Sequence, residues 1–203
     1  MNTVIGIDIG GTQVKFGRFC RDSRERLEEA VHPTRDGETL AGQPAWLETI
    51  RRQLEAWSPG KDSPVGLAAP GLADPDGRAI AHMPGRLEGL EGLDWTRQLD
   101  WPTPVRVLND AQAALLGESW AGSARGSRNV LLLTLGTGVG GAALVDGRIL
   151  RGHIGRAGHF GHLSLDPEGE PDITGTPGSL EDIIGEASLQ SRSGGRFATT
   201  REM

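Results

Sequence analysis

Isoleucines at positions 5, 7 and 9 alternate with Gly6 and Asp8, so one side of the segment Val4–Ile9 is continuously apolar. A period of two is strand geometry. Gly10-Gly11-Thr12 then offers a turn into Val14–Phe19, and the two runs together predict a β-hairpin. A further strand is predicted over Arg26–His32. From Pro44 to Trp57 the period changes: Trp46, Leu47, Ile50, Leu54 and Trp57 share one helical face, and Pro44 sits near the first turn, where its missing N–H is tolerated. Val65–Ala69 reads as a short buried strand ended by Pro70-Gly71. The stretch that follows, with Asp74-Pro75-Asp76-Gly77 and Pro84-Gly85, is too rich in turn residues for long regular elements.

Val105–Leu108 predicts another strand and Ala111–Trp120 a helix. Asn109 and Asp110 therefore stand at a strand end and helix start, the edge where open α/β sheets hold their ligands. A second hairpin follows, with Asn129–Leu135 and Val139–Val145 joined by Gly136-Thr137-Gly138. Asp146-Gly147 turns the chain again into Arg148–Arg151. Ile7 to Thr12 and Leu133 to Gly138 share one plan: apolar, polar, apolar, then a glycine turn. That plan used twice predicts two related domains, 1–118 and 119–203. A last helix is predicted over Leu180–Leu189, with Leu180, Ile183, Ile184 and Ala187 on one face. Ser179 would cap it, with Asp182 three residues on.

Composition narrows this picture. The 203 residues include 31 glycines and 12 prolines, which fall at the joints between periodic segments and indicate an α/β protein with many tight turns rather than disorder. Twenty-one basic against 27 acidic side chains leave a net charge of −6, without a basic stripe to neutralise a nucleic-acid backbone, so no nucleic-acid partner is expected. Cys20 is the single cysteine; it excludes a disulfide framework and a cysteine zinc site and fits a reducing compartment. The chain enters its first strand without a charged segment and apolar stretch of signal type, and no apolar run reaches membrane-spanning length. The expectation is a cytoplasmic protein with no membrane partner.

The two glycine turns carry the candidate chemistry. A strand-turn-strand with glycines at its tip lets backbone N–H groups approach an anion closely. Gly10, Gly11 and Thr12, and again Gly136, Thr137 and Gly138, are thus candidate phosphate contacts, with hydroxyls from both threonines. Asp8, just before the first turn, has the hard oxygen that suits Mg²⁺. Either turn alone would read as an ordinary hairpin, and Asn109-Asp110 alone as a helix cap; the two turns flanking that pair favour phosphate chemistry. Neither turn is a Walker loop or a GxGxxG dinucleotide fingerprint opening a helix. Lys15, on a strand, reads as solvent-facing.

Taken in order, Asp8-Ile9-Gly10-Gly11-Thr12, Leu108-Asn109-Asp110-Ala111, Gly136-Thr137-Gly138-Val139-Gly140-Gly141 and Gly155-Arg156-Ala157-Gly158-His159-Phe160-Gly161-His162 are similar to the ROK family (repressor, open reading frame, kinase) of sugar kinases. The resemblance runs over nearly the whole chain. It implies an α/β fold of the actin/hexokinase-like, two-lobed ATPase type (ribonuclease-H-like) and an ATP- and Mg²⁺-dependent, glucokinase-like phosphorylation of a hexose hydroxyl. By resemblance the two turns grip the phosphates of ATP, and Asp110 takes the proton from the attacking hydroxyl. Gly71, Asn109, Asp110, His159, His162 and Glu181 then contact the hexose. A homodimer is compatible with this reading.

The chain departs from the family in three places, the first being that the Asn common in the region after the Gly71-Leu72 loop falls near Pro84-Gly85. His159 stands where family kinases usually have a glutamate. The family's zinc motif, Cys-x-Cys-Gly-x-x-Gly-Cys-x-Glu, reads here as Asp172-Ile173-Thr174-Gly175-Thr176-Pro177-Gly178-Ser179-Leu180-Glu181, with all three cysteines replaced. Zinc is therefore not expected, and Pro177 and the Ser179 cap are the residues expected to hold the loop. Family kinases also continue with a further glycine-rich segment and a final helix. The resemblance thus implies a C-terminally truncated chain with an incomplete second lobe. Two other readings stay open: a non-catalytic sugar-binding or regulatory protein, and an inactive truncated remnant.

Overall fold

The computed structural model describes residues 2–58, 60, 63–83, 85–136, 138–199 and 202. They form two compact units, residues 1–113 and 114–203.

The alternating isoleucines build the centre of the first unit. Strand β1 (Thr3–Ile9) pairs antiparallel with β2 (Gln13–Cys20), and Asp8 faces Lys15 across the hairpin. β2 carries β3 (Arg26–Pro33) on its other side. The short pair β4 (Thr39–Leu40) and β5 (Gln43–Pro44) leads into helix α1 (Ala45–Trp57), which buries Trp46, Leu47, Ile50 and Leu54 as its spacing requires. Beyond it, β6 (Val65–Ala69) returns parallel to β1.

The turn-rich stretch holds only short elements: β7 (Leu72–Ala73), β8 (Ile80–His82) and the single-turn helix α2 (Trp95–Gln98), capped by Asp94. β9 (Arg106–Asn109) then adds parallel to β6 and runs directly into α3 (Asp110–Ala121). The sheet order is β3-β2-β1-β6-β9. The carboxyl ends of the three parallel strands therefore bring Asp8, Ala69 and Asn109 to one edge. Ile5, Ile7 and Ile9 pack with Trp46, Ile50, Leu67, Trp95 and Val107 in a continuous buried cluster. The rings of Trp46 and Trp95 lie 5.9 Å apart.

In the second unit, β10 (Val130–Leu135), β11 (Val139–Val145) and β12 (Arg148–Ile149) form an antiparallel meander. A 3₁₀ turn over Phe160–His162 lies against β11. A side chain at Gly141 would collide with the Phe160 ring and the Gly158 carbonyl, so the glycine is what allows this close packing.

The predicted helix over Leu180–Leu189 is not continuous. Helix α4 (Leu180–Ile184) stops at Gly185, a 3₁₀ turn covers Glu186–Ser188, and α5 (Leu189–Arg192) follows. Gly185 adopts φ −64°, ψ 153°, outside helical geometry. Glycine has about 1 kcal/mol less helical preference than alanine. Its carbonyl is taken instead by the Ser188 hydroxyl and the Arg192 guanidinium, at 3.0 and 3.1 Å.

Candidate functional site

In the first unit the Gly10-Gly11-Thr12 turn is closed by the Gly10 N–H donating to the Gln13 carbonyl at 2.9 Å. Thr34, just past β3 and fully buried, holds the turn from behind. Its hydroxyl donates to the Gly10 carbonyl at 2.6 Å and its N–H to the Thr12 carbonyl at 2.9 Å. The hydrophobic pattern does not mark Thr34, because its work is done by polar atoms after a strand has ended.

Asp8 lies 3.8 Å from the Lys15 ammonium. Lys15 is exposed, as its strand position implies. Burial pushes the Asp8 carboxyl above its ordinary value; Lys15 opposes that shift and the nearby Asp110 adds to it.

Asn109 is buried and uses both ends of its amide. Its nitrogen donates to the Gly71 carbonyl at 3.0 Å, while its oxygen accepts from the N–H groups of Ala111 and Gln112 at 3.1 and 3.4 Å. It thus caps α3 and ties that cap to the loop after β6. Gly71 has φ +97°, and a side chain there would strike the His82 carbonyl.

Asp110 accepts from the Ala111 N–H at 2.8 Å. Burial raises its carboxyl above the ordinary value, against the lowering effect of backbone N–H groups and of the Asn109 amide. One edge of one sheet therefore gathers Asp8, Gly10, Gly11, Thr12, Gly71, Asn109 and Asp110. Two carboxylates with raised pKa beside a turn rich in N–H donors form a combination suited to handling a proton next to a phosphate.

In the second unit the Gly136 N–H donates to the Gly138 carbonyl at 3.0 Å, closing the β10–β11 turn. Thr137 lies outside the described residues. A Glu181 carboxylate oxygen accepts from the Val139 N–H at 2.9 Å, so Glu181 reaches the turn as well as heading α4. Ser179 caps α4 as predicted, accepting from the Asp182 N–H at 3.3 Å.

His159 precedes the 3₁₀ turn and His162 ends it. His159 Nε2 is buried with no hydrogen-bond partner among the described residues. Its pKa is lowered, first by burial and then by His162 and Arg156, so the ring is neutral at pH 7.

His162 Nδ1 lies 2.8 Å from Asp172 Oδ2, and the Asp172 side chain is 1% exposed. The other Asp172 oxygen accepts from the Thr174 N–H and hydroxyl and from the Thr176 N–H, at 2.8, 2.7 and 2.9 Å. Burial alone would raise the Asp172 carboxyl, but these donors and His162 outweigh it and hold the group well below its ordinary value.

This carboxylate, beyond Pro177 and Ser179, is the centre of the loop. Sequence reasoning missed that role, although Asp-x-Thr-Gly is a turn signal of the Asx type. The residues do not fit a zinc ion. Asp172 spends its oxygens on internal donors, Thr174 on Asp172, and the segment 159–181 has no cysteine.

A mixed sheet with a phosphate-type hairpin, an Asn-Asp strand end and a second glycine-turn hairpin defines an α/β protein of the actin-like ATPase fold. The sequence matches the ROK family over residues 4–202, and the chain belongs to that family. It is 36% identical to a glucokinase of Halalkalibacterium halodurans over 192 residues, which cover 91% of this chain and 57% of that protein. Against a glucokinase of Thermotoga maritima it is 31% identical, covering 92% and 58%.

Among solved structures, a ROK hexokinase from Thermus thermophilus aligns at TM-score 0.77 and 32% identity, over 98% of this chain and 67% of that one. A ROK family glucokinase from Streptomyces griseus, in complex with glucose and AMPPNP, aligns at TM-score 0.75 and 28% identity, over 98% and 62%. The chain spans a little under three fifths of the glucokinases it matches in sequence.

Proposed function

We propose that this chain forms the phosphate- and sugar-binding part of a glucokinase-like kinase that transfers the terminal phosphoryl group of ATP to a hexose hydroxyl. The observation that carries the reading is Asp110, a carboxylate at a strand end whose pKa is raised by partial desolvation, next to the buried Asn109 and on the same sheet edge as the Gly10–Thr12 turn. The kinship with glucokinases supports the same chemistry.

In this reading the N–H groups of Gly11 and Thr12, and of Thr137 and Gly138, donate to phosphate oxygens, while the Gly10 and Gly136 N–H groups close their turns. Gly71, Asn109, His159, His162 and Glu181 contact the hexose. Asp8 is the residue that would hold Mg²⁺, whose part is to neutralise phosphate charge. The hexose oxygen bonds to the γ-phosphorus as the bond from that phosphorus to the β–γ bridging oxygen breaks. The hydroxyl proton passes to Asp110, and ADP departs. No zinc is assigned, because Asp172 holds the loop through hydrogen bonds.

Where the family pattern has a glutamate, neutral His159 offers one donor and one acceptor instead of two acceptors, so the preferred hydroxyl pattern differs. A reducing cytoplasm belongs to the same proposal and agrees with the single cysteine.

The test is a coupled ADP-release assay with Mg·ATP across a hexose panel, run beside Asp110→Asn. Turnover of at least one hexose that Asp110→Asn abolishes is the expected result. No turnover across the panel overturns the kinase reading. Hexose binding by calorimetry without turnover would instead favour a non-catalytic sugar-binding role.

A further inference from the structure

Glu181 is bound to more than the segment it heads. Its carboxylate accepts from the N–H of Val139, the residue that leaves the Gly136–Gly138 turn, at 2.9 Å. The other end of that turn is held from the same side, where the Glu186 N–H donates to the Gly136 carbonyl at 2.9 Å. A β-carbon at Gly138 would overlap the Glu181 carboxylate, so the glycine is what lets the carboxylate lie on the turn. Helix α4 is also fixed on the sugar-contact side. The Leu180 N–H donates to the Leu163 carbonyl at 2.8 Å, next to His162, and the fully buried Ser179 caps the helix. Glu181 uses only Oε2 for Val139, and Oε1 has no hydrogen-bond partner among the described residues. An ionised carboxylate accepts on both oxygens.

We propose that Glu181 is a positioning residue for the second phosphate turn, with Oε2 setting the Val139 N–H and Oε1 left to accept from a hexose hydroxyl. This rests on the hexose-kinase reading, because a sugar hydroxyl is what loads Oε1. Sugar binding then steadies the turn directly, since a carboxylate anchored at both oxygens releases Val139 less often. The phosphate turn is best ordered when the acceptor sugar is in place, a bias against spending ATP on water.

The experiment is amide hydrogen exchange followed by NMR on the 203-residue chain, with and without saturating glucose, for the wild type, Glu181→Ala, Glu181→Gln and Gly138→Ala. Loss of one hydrogen bond corresponds to about tenfold, so Val139 in sugar-free Glu181→Ala should exchange about tenfold faster than in the wild type. Glu181→Gln keeps an acceptor oxygen and should stay within about threefold of the wild type. Gly138→Ala, which displaces the carboxylate while keeping Glu181, should reproduce the Glu181→Ala acceleration. Glucose should slow Val139 exchange in the wild type and leave Glu181→Ala unchanged.

Equal Val139 exchange in the wild type and Glu181→Ala overturns the proposal. So does calorimetrically confirmed glucose binding that leaves wild-type Val139 unaltered. If no hexose binds at all, the sugar-kinase reading falls, and the comparison of sugar-free wild type with Glu181→Ala still decides whether Glu181 sets the turn.

Discussion

Asp110 works under opposed influences: burial favours its neutral form, while the Ala111 N–H and the Asn109 amide favour the charge. A proton acceptor must be ionised. As pH falls through the raised pKa the base is lost, so the acid limb of kcat/KM should lie above the ordinary carboxylate value of 3.8. A pH–rate profile from pH 4 to 8 checks this. Asp110→Asn keeps the shape of the residue but not the base, and kcat should fall about 10²- to 10⁴-fold. Hexose affinity measured by calorimetry should change little.

Asp172 shows the opposite shift. Its folded-state pKa is depressed, so its stabilisation is complete above 3.8 and is lost as pH drops through the folded value. Asp172→Ala strands the donors of His162, Thr174 and Thr176, and should cost about 1–3 kcal/mol at pH 7 in urea denaturation. The difference from the wild type should shrink below pH 4.

Among the elements, those built on strong periodicity were legible in advance. β1, β2 and α1 follow from Ile5, Ile7, Ile9 and the Trp46–Ile50–Leu54 face, and each ends within a residue or two of its sequence-derived bounds. The candidate phosphate turns and the Asn109-Asp110 junction were legible because glycine and capping chemistry are local. β7, β8 and α2 were not, since two- to four-residue elements have no period to read and owe their conformation to packing around Ile80 and Trp95. The break at Gly185 hides inside an apolar helical pattern, and only the bonds to its carbonyl show why the helix stops there. Pairings across loops, such as Thr34 with Gly10 and Asp172 with His162, leave no trace in a one-dimensional pattern.

Element geometry also makes Gly71 irreplaceable. Gly71→Ala would force a side chain into left-handed backbone against the His82 carbonyl. The expected result is a lower melting temperature together with weaker hexose binding, because the Asn109 nitrogen donates to this residue's carbonyl. Unchanged melting and affinity would show that the loop relaxes freely.

At the scale of the whole chain, β10 is an edge strand whose Leu131, Leu133 and Leu135 are 61%, 43% and 70% exposed. An apolar row on an open edge promotes self-association. Replacing Leu131 and Leu133 by lysine should lower light scattering of concentrated samples, with a stability change of about 0.5 kcal/mol or less per site.

The turn at Gly10–Thr12 has one more consequence. Thr34 occupies the Gly10 and Thr12 carbonyls, so a phosphate meeting this turn faces its N–H side, with the Arg86 guanidinium beside Gly11 and the Lys15 ammonium beside Asp8. Around it the chain carries a net −6. A polyanion is therefore repelled at a distance by the net charge and attracted only close to the turn. At 0.1 M salt the Debye length is about 10 Å, and shielding of that repulsion should speed nucleotide association rather than slow it. Stopped-flow binding of ATP between low and moderate ionic strength would show a rate that climbs with salt.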